Sequence, residues 1–306
     1  MIITLEEMKQ YDLGVVILNY KTWQETIKCV ESILNTSAID TKIFIVDNHS
    51  ENGSYEELSA RYNAHENIEC IEAGENGGFS KGNNIGLKAC KNAGINYAII
   101  TNNDIIFNEG CINSMYQEIK ARDNAVQLAP KVLSVDKKFI SPPWSGQQSL
   151  LQYLHIKSPQ EYIMKEEELI GVCKVYMVPG GCFIVNVDKF DGMQGFDENV
   201  FLYNEEGIIS VKAKEHGYDI FFDADATVIH NHGASTDKKT LFVDAEILKS
   251  GMYYWKNYEK VSNAKILCIY IFMILRMMAK VLLGRVERVG SIKFLRECHK
   301  QIKLIL

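Results

Sequence analysis

The sequence predicts an α/β fold: a mainly parallel sheet with helices on both faces, followed by a helical C-terminal extension. Three observations predict it. Short continuous apolar runs alternate with helical periodicity through the first hundred residues. Three of the runs end in polar residues, Asn19-Tyr20, Asp47-Asn48 and Asn102-Asn103-Asp104. Residues 242 to 261 then carry aromatic and apolar residues at helical spacing, including Phe242, Ile247, Met252, Tyr253 and Trp255.

Leu13 to Leu18 reads as a strand buried on both faces, because its apolar residues are continuous rather than alternating. Thr22 to Asn35 is helical, with Trp23, Ile27, Val30, Ile33 and Leu34 roughly on one face. Lys42 to Val46 is a second buried strand, and Ser54 to Asn63 a second helix. Asn67 to Glu72 is a third, shorter strand. Gly82 to Ala93 is a third helix and Tyr97 to Thr101 a fourth strand. This β-α-β-α-β-α-β order implies parallel strands joined by crossover helices. Ligands in such sheets bind beyond the carboxyl ends of the strands, where all three polar endings lie.

Asn and Asp are poor strand residues but suit the turn after a strand, so Asp104 at the mouth of a buried run reads as a turn or helix cap, or as a functional carboxylate. The stretch EAGENGGFSKGNNIG, residues 72 to 86, holds five glycines and runs into the predicted helix. Such a loop lets backbone approach a phosphate or ribose closely, or simply makes a tight surface turn. It matches neither a Walker loop nor a GxGxxG fingerprint.

At 47% apolar and 24% charged, the 306-residue chain can bury a real core in one large or two small domains. The eight cysteines form no CxxC pair and mostly sit in apolar contexts, which predicts reduced core thiols in a cytosolic protein and argues against zinc. The start, MIITLEEMKQ, shows no basic region before an apolar stretch, which predicts no secretory signal. Charge is uneven. Residues 265 to 306 hold nine Lys or Arg against two Glu, a segment of +7. The other 264 residues carry 24 basic and 37 acidic groups, or −13. A basic tail on an acidic body suggests an anionic surface as partner and argues against nucleic acid.

Four segments of the first half now carry a resemblance: Leu18-Asn19-Tyr20, Ile45-Val46-Asp47-Asn48-His49-Ser50, the run from Glu75 to Gly86, and Thr101-Asn102-Asn103-Asp104. Three more follow: Pro179-Gly180-Gly181-Cys182-Phe183-Ile184, Gly195-Phe196-Asp197-Glu198-Asn199-Val200-Phe201, and His230-Asn231-His232-Gly233-Ala234-Ser235. In order and spacing they resemble family 2 glycosyltransferases, with the rhamnosyltransferase-like branch the nearest look. The likeness covers about residues 12 to 240.

The resemblance implies a GT-A fold, a Rossmann-like sheet with flanking helices, a nucleotide-sugar donor and Mg²⁺ or Mn²⁺. It implies that Asp47 holds the nucleoside. Asn19, Tyr20, Asn48, Gly78, Phe79, Asn83, Asn103 and Gly181 join Asp47 in the nucleotide-sugar site. Asp104 takes the place of the metal-binding carboxylate of the D-x-D motif, Asn102 stands where its first Asp would be, and His230 joins the metal or the diphosphate, with His232 a substitute on the same extended face. An inverting transferase also needs a carboxylate to take the acceptor hydroxyl's proton. The family's acidic pair opens a helix after an aromatic stretch, and here Glu205-Glu206 follows Phe201-Leu202-Tyr203-Asn204. Glu206 occupies the base position, with Glu205 second. The acid usual two residues later is Ile208, a departure that leaves room for a degenerate, donor-binding protein.

The expected organisation is a transferase domain over residues 1–240, its nucleotide-binding half at about 12–110 and its acceptor half at about 111–240, followed by a basic, amphipathic helical extension over 241–306. Within residues 136–176, the stretch SPPWSGQQSLLQYLHIKSPQEY carries Trp144 and two tyrosines, which stack on acceptor sugars or pack under a long loop. Ile266 to Leu275 is ten apolar residues, too short to span a bilayer, and extending it to Leu283 would bury Arg276 and Lys280. A helix in the membrane interface fits these residues, and so does one packed on the domain or forming a homodimer. The expected function is transfer from a dTDP- or UDP-sugar, with rhamnose the sugar the branch suggests. The acceptor would be a glycan or a polyprenyl-diphosphate-linked glycan, at the cytoplasmic face of the membrane in surface polysaccharide synthesis. A nucleotidyltransferase is the remaining enzyme class, but Asn19-Tyr20-Lys21-Thr22 is not the basic glycine-rich loop it would carry.

Overall fold

The computed structural model describes residues 10–154, 156, 158–231 and 241–282. His232 and the basic run from 283 onward lie outside them. The first half alternates as predicted: β1 (Leu13–Asn19), α1 (Trp23–Thr36), β2 (Thr41–Asp47), α2 (Ser54–Tyr62), β3 (Ile68–Glu72), α3 (Gly78–Asn92) and β4 (Tyr97–Asn102). Then follow β5 (Ile105–Phe107), α4 (Cys111–Lys120), β6 (Ala125–Ser134), the single turn α5 (Leu150–Tyr153), β7 (Val172–Val175), β8 (Cys182–Asn186) and α6 (Val187–Gly192). The last elements are α7 (Glu205–Glu215), β9 (Asp219–His230), α8 (Leu241–Asn257) and α9 (Asn263–Leu282).

The strands form one sheet in the order β3-β2-β1-β4-β8-β6-β9-β5, with β7 also on β9. Strands β3, β2, β1 and β4 are mutually parallel. Beyond β4 the sheet is mixed: β8 runs antiparallel to β4 and β6, and β9 parallel to β6. Successive strand residues face opposite layers. Val15, Ile17, Ile43, Ile45 and Ile99 therefore pack under α1, α2 and α4. Val16, Phe44, Val46, Ile100 and Phe183 pack under α3, α6 and α7.

Helix α3 lies unusually close to β1. A Cβ at Gly82 would overlap Leu18, and one at Gly86 would overlap Val16. Two of the five glycines are thus spent on helix–strand contact. The helix also starts four residues before its predicted Gly82, at Gly78. Its first amides already have protein partners: Gly78 N donates to Asn76 Oδ1 at 3.1 Å and Phe79 N to Phe201 O at 2.8 Å.

A third apolar cluster joins α8 and α9 to α7 through Ile208, Val211, Leu248, Met252, Trp255, Ile266 and Ile269. Tyr153 belongs to it, edge-on to Trp255 at 5.6 Å, with its hydroxyl donating to Ile247 O. Tyr162 packs over Gly146. Tyr153 and Tyr162 therefore serve packing. Trp144 is half-buried and its backbone bridges to Ile163 and Met177.

Candidate active site

The carboxyl ends of β1, β2 and β4 lie side by side in register, with Asn19 opposite Asp47 and Leu18 opposite Asn102. A buried polar network fills this edge. Asp47, 2% exposed, accepts from Asn19 Nδ2 (2.6 Å) and Ser50 Oγ (2.7 Å) on one oxygen, and from Ser50 N (2.9 Å) on the other. Asn19 Oδ1 accepts from Thr26 Oγ1 at 2.8 Å and from Asn103 Nδ2 at 3.2 Å. Asn103 Nδ2 also reaches Thr22 Oγ1 (2.8 Å) and Thr26 Oγ1 (2.9 Å). A carboxylate offers about four lone-pair sites; three of those on Asp47 are used, and one on Oδ1 remains. Tyr20, 41% exposed, stands at the rim with Lys21 Nζ 4.9 Å from its ring centre.

The turn after β4 solves a placement problem. Residues 103 and 104 turn the chain into β5, which pairs antiparallel with β9 so that Ile105 faces His230. Asp104 Oδ1 consequently lies 3.1 Å from His230 Nε2, the two side chains 12% and 15% exposed. Asn231 N donates to Asp104 O at 2.9 Å, and its side-chain amide reaches Glu25 at 3.1 Å, tying the β4–β5 turn, the end of β9 and α1 together.

Across from this pair, β4 meets the Gly180-Gly181 turn, where Asn102 N donates to Gly181 O at 2.9 Å. Glu206 leans on that turn, and a Cβ at Gly180 would collide with its carboxylate. Burial raises the Glu206 carboxyl above the ordinary carboxylate range, while the N–H groups of Glu206 itself and Gly180 pull it back. Glu205, 7% exposed, has an Oε1 without a hydrogen-bond partner. Burial first, and Glu206 second, push its carboxyl up to about 8. The two carboxyls sit at the N-terminus of α7 after Tyr203 and Asn204, both in the left-handed region at φ 71° and 69°. This bend turns the chain into the helix and points the pair inward. Ile208, 1% exposed, packs with Leu248 and Met252. Its apolar character answers to α8 covering that side of α7.

The structure thus brings Asn19, Asp47, Asn103, Asp104, His230 and Glu206 to one strand edge. It gives other expected residues a packing duty. Gly78, at φ +76°, meets the Phe201 carbonyl, and Phe79 stacks edge-on to Phe196 at 5.5 Å. Asn83 is fully buried and donates to Phe79 O at 2.9 Å. Asn48 Nδ2 ties β2 to α3 through Asn76 Oδ1 and Gly78 O. These contacts give much of the glycine-rich run a packing role, the tight turn that the sequence also allowed. Gly181 has only ordinary clearance from Asn102, whereas Gly180 is the sterically required glycine. Sequence reasoning passed over Gly180, Ser50 and Thr26. The first two sit within quoted motifs; nothing local marks Thr26.

The donor set suits a divalent cation. A carboxylate and an imidazole stand together at the strand mouth, and among the described residues no group of three His, Cys, Asp or Glu could hold a metal. Mg²⁺ or Mn²⁺ held there would need further oxygen ligands from outside the protein.

Comparison with known proteins follows this geometry. The family described as Glycosyl transferase family 2 matches residues 14–192. The chain is 25% identical over 221 residues to the low-salt glycan biosynthesis hexosyltransferase Agl10 of Haloferax volcanii, covering 72% of this chain and 67% of that protein. It is 27% identical over 111 residues to glycosyltransferase GlyG of Streptococcus pneumoniae serotype 4, covering 36% of each. Among solved structures, GalNAc-T7 with UDP, GalNAc and Mn²⁺ superposes with a TM-score of 0.59 at 14% identity, over 83% of this chain and 50% of that one. Staphylococcus aureus TarS 1–349 with UDP-GlcNAc superposes with a TM-score of 0.57 at 12% identity, over 95% and 81%. The chain therefore spans about a third of GlyG and half of the GalNAc-T7 chain.

Proposed function

The chain belongs to glycosyl transferase family 2 and is a glycosyltransferase of GT-A fold, and from that premise we propose that it is an inverting, metal-dependent enzyme. It takes a sugar from a UDP- or dTDP-sugar and adds it to a glycan or polyprenyl-diphosphate-linked acceptor in surface polysaccharide synthesis. Solved relatives with UDP or a UDP-sugar support UDP as the nucleotide; rhamnose stays the alternative that the motif resemblance suggests.

One observation carries the reading: the Asp104–His230 pair and Glu206 flank the same strand mouth, with the Gly180-Gly181 turn between them. In the proposed mechanism, Asp47 is held rigid by Asn19 and Ser50, and its remaining lone pair accepts from the imide N–H of a uracil or thymine ring. Tyr20 covers the ring from the rim. Asp104 and His230 would hold a divalent cation, which would supply positive charge against the departing diphosphate. Glu206 accepts the proton of the acceptor hydroxyl as that oxygen attacks the anomeric carbon. The bond to the diphosphate breaks on the opposite face, and configuration inverts. A raised carboxyl pKa suits this task, because a base is most effective when its pKa approaches the working pH. Ile208 has a packing role against α8, which is compatible with an active enzyme.

The test is nucleoside-diphosphate release from a panel of UDP- and dTDP-sugars with Mn²⁺ or Mg²⁺, with a membrane lipid extract supplying acceptor. Release that needs the metal and falls at least about a hundredfold in Asp104→Ala supports the proposal. Release indifferent to chelator and to that substitution overturns it.

A further inference from the structure

Helix α9 has two faces of opposite fate. Ile266 and Ile269, fully buried or nearly so, seat it in the cluster with Leu248, Met252 and Trp255. The other face is apolar and open to solvent. Leu267, Ile271, Leu275, Met278 and Leu282 fall at helical spacing along one stripe, exposed by 41%, 48%, 60%, 49% and 82%. Phe272, 37% exposed, widens the stripe on one side, and the exposed Lys265 and Arg276 follow it at that same rim. From Leu267 to Leu282 the stripe is about 24 Å long, most of the length of the helix. Contiguous exposed apolar surface of this kind marks an interaction site.

We propose that this face of α9 lies flat on a bilayer containing anionic phospholipid. Its apolar side chains enter the acyl boundary while Lys265 and Arg276 reach the headgroups. Charge selects this occupant. The helix carries no acidic residue, and the chain from 265 to 306 is +7 while the rest is −13. A second copy of this helix would offer Lys265 and Arg276 no acidic partner, since it carries none. Crossing the bilayer is excluded for this helix, because none among the described residues is long and apolar enough, and a span would bury Arg276. The proposal deepens the reading of a lipid-linked acceptor and rests on it for its purpose. Its test needs no donor, so failure of one leaves the other standing.

The full chain would be sedimented with phosphatidylcholine vesicles with and without about a third phosphatidylglycerol, at low and high salt, and its mass in solution measured. The expected result is binding to the anionic vesicles, weakened by salt. Ile271→Glu with Leu275→Glu should reduce partitioning about a hundredfold, roughly tenfold for each side chain. Both positions are exposed, so circular dichroism and the thermal midpoint should stay unchanged. Absence of vesicle binding, or binding unaffected by the double substitution, overturns the proposal. So does a doubled mass that the substitution abolishes without any vesicle binding, which would assign the face to a second copy.

Discussion

Glu205→Gln isolates the energetic cost of the buried acidic pair. Glu205 is 7% exposed, one of its oxygens lacks a partner, and its carboxyl moves from 4.5 up to about 8. A group that holds its proton more tightly in the folded than in the unfolded chain adds stability that is complete below its unfolded pKa. That stability is lost as pH rises through the folded pKa. The window here is therefore about pH 4.5 to pH 8. At about 1.4 kcal/mol per pKa unit the ceiling is about 5 kcal/mol. Glu205 and Glu206 titrate as a pair, and the protein relaxes around the charge, so about 2 kcal/mol is the expected size. Glutamine keeps the shape and removes the titration. Urea-unfolding midpoints of wild type and variant would be measured at pH 5 and pH 9. The wild type should lose about 2 kcal/mol relative to the variant between the two. An equal difference at both pH values would refute the claim that a buried carboxyl titrates there.

Gly180→Ala should push the Glu206 carboxylate off the turn and cut turnover by about tenfold or more, leaving donor affinity unchanged in a binding titration. Gly78→Ala places a Cβ against the Phe201 carbonyl at a backbone of φ +76°, and should lower the thermal midpoint by several degrees, at a cost of about 2 kcal/mol or more. Asp47→Asn sets an amide beside Asn19 Nδ2, now 2.6 Å from the carboxylate, and should weaken donor binding by about tenfold or more, read by displacement of a fluorescent nucleotide.

How much was legible depends on whether a feature was local. Strands β1, β2 and β4 read clearly because each is buried on both faces and carries an uninterrupted apolar run. Strand β5 is three residues long and acquires its identity only from β9, more than a hundred residues away. That pairing brings Asp104 to His230, so motif resemblance could nominate both residues while their contact needed the fold. Glycines were the least legible. A glycine that gives room to a neighbour looks in sequence like one that gives room to a ligand. Gly82 and Gly86 serve β1, Gly78 serves Phe201, and Gly180 serves Glu206. Ile208 departs from the motif in sequence, and only the fold shows its packing role under α8, which begins 33 residues downstream.

The most direct test of the account separates binding from chemistry at Glu206. Donor affinity and turnover would be measured for wild type and Glu206→Gln with the sugar nucleotide that the release assay selects. The account predicts an unchanged dissociation constant and a fall in turnover of about a hundredfold or more, the scale of a lost general base. Turnover retained at near wild-type rate would contradict it and move the base elsewhere on the strand edge.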